Sequence, residues 1–281
     1  MTSVKKLFGQ LQRRGPHRVL RGDMAIVGLP GVVYTPESGT NLPGIAFGHG
    51  WLTRSKQYID TLEHLASWGI VVAVPDTERG PLASDRALAA DLETALQVIS
   101  SVRLGSGDIT VHPERLGLAG HGLGGSAAVL AAGNSSRATA LAALYPAPTS
   151  PAVLPAAHRA RVPALILAAP KDLDGVTSNA LALRNALQGD GVSLRTVPKS
   201  TNRGLAEGFS IRKRLGDGSD DKKTQRATRA VLAGFLLAHL GPDKTYSDFG
   251  DPTTALGKLQ TVDPATAEIE DLDPVSRLLR R

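Results

Sequence analysis

Residues 120–125, with the sequence Gly-His-Gly-Leu-Gly-Gly, constrain the fold of this chain more than any other stretch. The residues before them, 116–119, form a short apolar run that is typical of a buried strand. The residues after them, 126–132, are strong helix formers. The glycine-rich stretch is therefore predicted to be a tight turn that leads from a buried strand directly into a helix.

Apolar strands and amphipathic helices alternate on both sides of this turn. Strands are predicted at residues 42–47, 69–75, 116–119, 138–145, 162–168 and 192–197, after a hairpin of residues 24–27 and 31–36. Helices are predicted around residues 58–65, 88–99, 126–132, 177–188 and 224–240, with a Pro-rich loop at residues 146–155. Strands that are apolar throughout and separated by helices predict an α/β fold, with a mostly parallel central sheet flanked by helices.

The glycine-rich turn resembles the nucleophile elbow of the α/β-hydrolases, Gly-x-Ser-x-Gly, in which a strained turn presents the catalytic serine. In this chain the nucleophile position is Gly122. Glycine adopts the dihedral angles of the elbow with little strain, whereas the same angles strain a residue with a Cβ atom by roughly 1–3 kcal/mol. Gly122 thus keeps the turn and removes the nucleophile. The resemblance covers residues 19–241 and is strongest to the dienelactone-hydrolase and polyester-hydrolase branch.

The resemblance also implies where the other two members of the catalytic triad would lie. The acid position, after the strand at residues 162–168, is Asp172. The histidine position is Asn202, and an amide cannot act as a general base near neutral pH. His239 is the only histidine after Asp172, and its spacing with apolar neighbours favours a residue on a helix face over a displaced base. Gly122, Asp172 and Asn202 are therefore vestigial catalytic positions.

Other parts of a hydrolase site are implied by the same resemblance. The backbone N–H of Leu123 is one expected oxyanion-hole donor, and that of Gly50 or Trp51 is the other. Asp76 and Thr77 follow the strand at residues 69–75, and the resemblance places them beside the substrate cleft. These residues are expected to line a pocket, with no chemical role assigned to the two side chains.

Residues 1–18 form a basic N-terminal arm whose residues 3–14 have the spacing of a short amphipathic helix. Its apolar and basic side chains are Val4, Lys5, Lys6, Leu7, Phe8, Leu11, Arg13 and Arg14. Three alternatives are open for this helix. It docks on its own domain, it binds an anionic membrane surface, or it binds a partner protein.

The C-terminal tail, residues 242–281, contains three Asp-Pro pairs, at Asp251, Asp263 and Asp273. Each pair places a favoured N-cap residue before a favoured first helical residue, so each predicts the start of a short helix. The tail has too few apolar residues for a core of its own. It is expected to pack on the body, on a protein partner or on a second copy of the chain.

Composition and charge bear on two questions, whether the chain binds nucleic acid and where in the cell it is expected. The chain has 32 Lys and Arg against 26 Asp and Glu, and the first 22 residues alone hold six basic residues and no acidic one. The body is thus electrically balanced, which argues against a nucleic-acid-binding face. Without cysteine, a membrane-spanning run or a secretory signal, a cytoplasmic protein is expected, with peripheral contact to the inner membrane as an extension.

No cofactor or metal site is predicted. Residues 216–221 are rich in Asp and Gly, but they lack the spacing and the terminal Glu of an EF-hand loop. We therefore expect residues 203–223 to form a solvated loop.

The sequence leads to three hypotheses about function. The first is a catalytically inactive α/β-hydrolase-fold protein that serves as a binding or assembly module through its termini. The second is an atypical carboxylic-ester hydrolase in which Asp172 or Glu78 acts on a bound water. The third is a carrier that holds an apolar or acyl ligand in the vestigial pocket.

Overall fold

The computed structural model describes residues 3–134, 137–202, 205–207 and 222–263. Within these residues nine strands form a single sheet, in the order β1-β2-β4-β3-β5-β6-β7-β8-β9. The strands are β1 (Val19–Asp23), β2 (Gly31–Pro36), β3 (Gly39–Gly48), β4 (Val71–Pro75), β5 (Ile109–His121), β6 (Ala140–Leu144), β7 (Ala164–Ala168), β8 (Ser193–Thr196) and β9 (Gln260–Thr261).

Seven α-helices are found in the same residues. They are α1 (Val4–Leu11), α2 (Ile59–Ser67), α3 (Asp85–Ser101), α4 (Leu123–Asn134), α5 (Val153–Arg159), α6 (Ala180–Ala186) and α7 (Lys222–Leu240). Helices α3 to α6 contribute to one apolar core with one face of the sheet, and α1, α2 and α7 to a second core with the other face. Both faces of the sheet are therefore covered, which explains why its central strands are apolar throughout.

The middle of the sheet is parallel and its edges are antiparallel. Strands β4, β3, β5, β6, β7 and β8 run in parallel, whereas β1 pairs antiparallel with β2, β2 with β4, and β9 with β8. This is the mostly parallel, helix-flanked sheet of the α/β-hydrolase fold, and it confirms the predicted fold class. The carboxyl ends of the parallel strands lie at one edge of the sheet, where ligands bind in open α/β sheets.

Three glycines allow α4 to lie directly against the ends of β3 and β5. A Cβ atom on Gly124 would lie 2.2 Å from the carbonyl carbon of Gly48, and one on Gly120 would lie 2.2 Å from the carbonyl oxygen of Gly124. Real Cβ atoms do not approach backbone atoms so closely, so glycine is required at both positions. This contact fixes the start of α4 relative to the two central strands.

The N-terminal helix docks on its own domain. Its apolar side chains Leu7, Phe8 and Leu11 are buried against α7 and the C-terminal segment, and the Phe8 ring stacks on Phe249 with centroids 6.5 Å apart. The first of the three alternatives for the arm is therefore the one that the structure shows, since this apolar face is already covered. Val4 is half-buried, and the exposed side of the arm is basic, with Lys5, Lys6, Arg13 and Arg14.

Two predictions for local structure outside the C-terminal tail were wrong. Residues Met24–Val27 form a 3₁₀ turn instead of a strand, because the Asp23 carboxylate accepts a hydrogen bond from the Ala25 N–H (2.8 Å) and Gly28 ends the turn at φ +84°. The predicted hairpin exists, but its first strand is β1. Helix α5 lies partly within the predicted Pro-rich loop, because Val153, Ala156 and Ala157 bury an apolar face against the body.

The described part of the C-terminal tail also packs on the body. Residues from Asp251 form a turn where a helix was predicted, because the guanidinium of Arg195 donates hydrogen bonds to the carbonyl oxygens of Asp251 (3.0 Å), Pro252 (3.1 Å) and Thr254 (2.8 Å). Arg195 is only 1% exposed, so these carbonyl groups solvate a buried cation. The predicted helices after Asp263 and Asp273 lie outside the described residues.

We predict that Gly124→Ala destabilises the protein by at least about 3 kcal/mol, or prevents folding, because its Cβ atom would overlap the backbone of Gly48. Urea denaturation followed by circular dichroism measures the effect. Gly9→Ala is the matched control. Gly9 lies in α1 with nothing within 4 Å of the added Cβ atom, so alanine should stabilise by about 0.5 to 1 kcal/mol. Equal stability of the two variants would contradict the close contact.

Candidate functional site

The predicted elbow is present between β5 and α4. Gly122 has φ +57°, its N–H donates to the carbonyl oxygen of Leu144 (3.0 Å), and its carbonyl oxygen accepts from the N–H groups of Ser126 (3.2 Å) and Ala147 (3.2 Å). The first atom that a Cβ on Gly122 would meet is the Gly50 Cα, at 3.8 Å. The turn of a nucleophile elbow is therefore retained, with room for a side chain that this sequence does not supply.

The structure brings the other two predicted triad positions, Asp172 and Asn202, together. The Asn202 side-chain amide donates a hydrogen bond to the Asp172 carboxylate, and the Thr177 hydroxyl donates to the same carboxylate oxygen. The Asn202 Nδ2 also lies 3.3 Å from the Thr177 carbonyl oxygen, and two acceptors on this side fix the orientation of the amide. Asn202 thus contacts the acid as the triad histidine would, but it has no basic nitrogen to offer.

The Asn202 side-chain oxygen is a buried acceptor without a hydrogen-bond partner among the described residues. This oxygen is the atom of the Asn202 side chain that is not engaged with Asp172 or Thr177. The amide oxygen is too weak a base to remove a proton from a hydroxyl group.

His121, next to Gly122, is held by both of its ring nitrogens. Its Nε2 lies 2.7 Å from the main-chain carbonyl oxygen of Asn202, so this nitrogen carries the proton and donates. Its Nδ1 then accepts a hydrogen bond from the Tyr58 hydroxyl, 2.8 Å away. His121 therefore links α2 to the segment that carries Asn202 and fixes the backbone at the former base position.

Burial shifts the pKa values of this pair in opposite directions. Desolvation lowers the pKa of His121 to about 4, against a small opposing effect of the hydrogen bond to Asn202, and it raises the pKa of Tyr58 to about 12. Both groups are consequently neutral over the physiological range. A neutral His121 with both nitrogens engaged positions the site and does not act as a base in it.

The structure separates the two alternatives for the second oxyanion-hole donor. The Gly50 N–H donates to the Tyr58 hydroxyl (3.0 Å), so it is already used. Within the described residues, no hydrogen bond is found from the backbone N–H of Trp51 or of Leu123. Of the three expected donors, the N–H groups of Trp51 and Leu123 are therefore the two that are not used within the described residues.

Asp76 and Thr77 hold the loops beside the site together. The Asp76 carboxylate accepts hydrogen bonds from the N–H and the hydroxyl of Ser55, both at 2.7 Å. The Thr77 hydroxyl donates to Asp91 (2.6 Å), and the Thr77 carbonyl oxygen lies 2.7 Å from His49 Nε2. Both side chains therefore have partners within the protein, which supports a structural contribution to the predicted cleft.

Glu207 supports the start of α2, the helix that follows Tyr58, and the sequence did not indicate this role. Its carboxylate accepts hydrogen bonds from the N–H groups of Asp60 (2.7 Å) and Thr61 (3.0 Å) in the first turn of α2, and it pairs with Arg229 at 3.0 Å. Burial raises the pKa of Glu207, while Thr61 and Arg229 oppose that rise. No local pattern could reveal this helix cap, because Glu207 is 146 residues from Thr61 in sequence.

His239 and the predicted solvated loop do not contribute to the described site. The His239 ring packs on Phe235, with centroids 4.7 Å apart, and its Nε2 is buried without a hydrogen-bond partner among the described residues. This agrees with a residue on a helix face. Residues 216–221 lie outside the described part of the chain. In the residues that are described, no three His, Asp or Glu side chains come close enough together to hold a metal ion.

Comparison with known proteins gives one family match for the part of the chain that contains the elbow. A family model described as Chlorophyllase matches residues 21–149, from β1 to the loop after β6. The match includes the elbow and ends before Asp172 and Asn202. None of the curated proteins compared with the chain matches it.

The sheet and the family match both fit the α/β-hydrolase superfamily. Over the matched residues, the chain is similar to the Chlorophyllase family. The dienelactone-hydrolase and polyester-hydrolase branch that the loops resemble stays a prediction.

Acid should destabilise the protein between pH 6.5 and about 4, because the unfolded chain takes up a proton on His121 that the native state resists. The difference between the two pKa values corresponds to roughly 3 kcal/mol for this residue. His64, whose pKa burial and then Arg229 lower to about 4, acts in the same direction. Denaturant unfolding at a series of pH values measures this loss.

The His121→Gln variant is the control for that experiment. Glutamine keeps a donor and an acceptor but does not titrate, so its stability should fall less steeply over the same pH range. An unchanged slope in the variant would contradict the assignment to His121.

Proposed function

We propose that this chain is a catalytically inactive α/β-hydrolase-fold protein that binds a ligand at the former catalytic site without cleaving it. The observation that carries the proposal is the Asn202 amide in contact with the Asp172 carboxylate, beside an elbow whose nucleophile position is Gly122. The expected acid and histidine positions are in contact, while the expected nucleophile and base positions hold Gly122 and Asn202. One cause, the loss of hydrolysis, accounts for both replacements.

Neighbouring groups do not supply the missing chemistry. Ser126 lies within α4, four residues beyond the tip of the elbow, and its hydroxyl donates to the Ala147 carbonyl oxygen (2.5 Å). His121 is neutral and has both ring nitrogens hydrogen-bonded. Nucleophilic catalysis needs a nucleophile with a base in hydrogen-bond contact, and these residues do not form such a pair.

Binding is favoured because the backbone parts of the site are intact. The N–H groups of Trp51 and Leu123 are suited to a carbonyl or carboxylate oxygen, and Leu123 opens α4, whose N-terminus attracts negative charge. Gly122 leaves the space of a side chain beside them. An ester or acyl ligand fits these features, as in the carrier hypothesis.

The atypical hydrolase remains the alternative, with Asp172 or Glu78 acting on a water. Asp172 accepts hydrogen bonds from Asn202 and Thr177, and the Glu78 Oε2 accepts one from the Ser84 N–H (2.6 Å). Both carboxylates are thus already engaged in hydrogen bonds within the protein, which favours the binding function over water activation.

The proposal also includes an assembly function of the two extensions, the N-terminal arm and the C-terminal tail. This function would have to use surfaces other than their apolar faces. The apolar faces of α1 and of residues 251–261 are buried on the body, with Leu11 and Leu256 both fully inaccessible. A protein partner or a second copy would therefore contact the basic side of α1 or residues 264–281. The latter lie outside the described residues.

We predict that a fluorophosphonate probe does not label the protein, because no activated serine is present at the elbow. Any background turnover of p-nitrophenyl esters should be the same in Asp172→Ala as in the parent protein. Asp174→Ala, on the same loop, controls for effects on loop structure. A clear loss of turnover in Asp172→Ala alone would support the hydrolase alternative and contradict the proposal.

The double variant Gly122→Ser with Asn202→His should be labelled by the same probe. A serine at Gly122 has space, since the nearest atom to its Cβ is 3.8 Å away, and it would bear roughly 1–3 kcal/mol of strain at φ +57°. A histidine at residue 202 would stand beside Asp172. Gly122→Ser alone is the matched control, and it should react on the order of a hundredfold more slowly because it lacks the base. A folded double variant that is no more reactive than this control would contradict the placement of the vestigial triad.

A further inference from the structure

The His49 ring connects the loop after β3 to the loop after β4. The side chain is fully buried, with its Nδ1 2.9 Å from the Gly50 carbonyl oxygen and its Nε2 2.7 Å from the Thr77 carbonyl oxygen. Both neighbours are acceptors. A neutral imidazole has one N–H and one lone pair, so it satisfies only one of these two oxygens. The imidazolium ion has an N–H at each nitrogen and satisfies both.

The two carbonyl groups differ in what else they accept. The Gly50 oxygen also accepts hydrogen bonds from the N–H (3.2 Å) and the hydroxyl (2.7 Å) of Thr53. For the Thr77 oxygen, no second donor is found in the part of the chain that the structure describes. A neutral ring therefore keeps its proton on Nε2, toward Thr77. The lone pair of Nδ1 then faces the Gly50 oxygen, and this contact is repulsive.

The Gly50 oxygen belongs to the same peptide group as the Trp51 N–H. This peptide is trans, and the C=O and N–H of a planar trans peptide point in opposite directions. A hydrogen bond that holds the oxygen toward the His49 ring therefore also sets the direction of the Trp51 N–H. That N–H is one of the two expected oxyanion-hole donors that are not used within the described residues. The charge of the His49 ring thus acts on a donor of the candidate site.

Both loops contain a non-glycine residue in the left-handed region of backbone conformation. Leu52 has φ +56° in the first loop, and Glu78 has φ +48° in the second. Such conformations persist only where the surrounding contacts hold them in place. The His49 ring provides one such contact to each loop, two residues before Leu52 and one residue before Glu78.

Several carboxylates lie close to the contact between the ring and Thr77. Asp76 and Glu78 are the neighbours of Thr77 in sequence, and Asp91 on α3 accepts a hydrogen bond from the Thr77 hydroxyl (2.6 Å). A buried cation needs acceptors and negative charge around it. The two carbonyl oxygens and these carboxylates supply both.

The other elements around His49 add no buried positive charge. His121, at the end of β5, lies beside Gly50 and is neutral above its pKa of about 4, and Tyr58 is neutral below its pKa of about 12. Gly124 packs against the His49 backbone, and its helix α4 contains no ionisable side chain. The basic residues of the two loops are exposed to solvent, which screens their charge, and they are Arg54, Lys56 and Arg79.

We propose that His49 is a proton-dependent clip between these two loops. As the imidazolium ion it holds both carbonyl oxygens and fixes the Gly50–Trp51 peptide, and as the neutral ring it releases the Gly50 oxygen. Histidine changes charge between about pH 5 and 8, so the clip closes as the pH falls through this range and opens as it rises. His49 is a positioning residue, and the clip does not depend on whether the site binds, cleaves or ignores a ligand.

The test is NMR spectroscopy of the nitrogen-15-labelled full chain between about pH 5.5 and 8.5. Both His49 ring nitrogens should carry a proton at the lower pH, and Nδ1 should lose its proton at the higher pH. The Trp51 amide resonance should move with the same midpoint, because the ring holds its peptide group. In His49→Gln the ring signals disappear, which assigns them, and the Trp51 amide should lose this pH dependence because glutamine does not titrate.

A second pair of variants tests the contribution of the neighbouring charge. Asp91→Asn removes a carboxylate that supports the cation, so the transition of the Trp51 amide should move to lower pH by roughly half a unit. Glu93→Gln is the matched control. Glu93 lies two residues further along α3 and so on a different face of the helix, and its replacement should leave the transition in place.

Three results would overturn the proposal. They are a His49 ring that keeps one protonation state over the whole range, a Trp51 amide resonance that does not follow the ring, and a folded His49→Gln variant in which the Trp51 transition persists. Circular dichroism checks the folding of each variant. If His49→Gln does not fold, the first two measurements, which use the parent chain, decide the question.

Discussion

The close contact among Gly48, Gly120 and Gly124 is the constraint on which the rest of the structure depends. It brings the start of α4 to backbone contact with the two central strands, where a Cβ atom on Gly124 would overlap the Gly48 carbonyl carbon at 2.2 Å. Because α4 begins there, the chain must reverse sharply at Gly122, with φ +57°. The elbow is thus maintained by packing of the backbone and does not require a catalytic side chain at its tip.

A second network keeps the former base position in place. The His121 Nε2 donates to the main-chain oxygen of Asn202, and the Tyr58 hydroxyl donates to its Nδ1. These bonds hold the backbone of Asn202 independently of its side chain, so a substitution at this position should leave the segment in place. Glu207, five residues later, extends this support by capping the first turn of α2 and pairing with Arg229. The backbone of the site is therefore held by residues other than the predicted triad positions.

The sequence predicted the features that depend on local patterns or on a motif. The alternating strands and helices, the turn at Gly122 and the proximity of Asp172 to Asn202 all followed from residues that the motif or the strand order identifies. The features that the sequence did not predict depend on contacts between residues that are far apart in the chain. Residues from Asp251 form a turn because Arg195, 56 residues earlier, binds their carbonyl groups. Glu207 caps a helix that begins far upstream, and the burial of Phe8 on Phe249 decided among alternatives that its helical pattern left open.

The space beside Gly122 has a consequence for engineering of this chain. A Cβ atom there would have its nearest neighbour at 3.8 Å, so a serine would meet no steric overlap, although the φ of +57° would cost it roughly 1–3 kcal/mol. Asn202 already touches Asp172, so a histidine at residue 202 would start from the same contact. Two substitutions would therefore supply the serine and the histidine that a triad with Asp172 requires, which makes the chain a scaffold for building such a site.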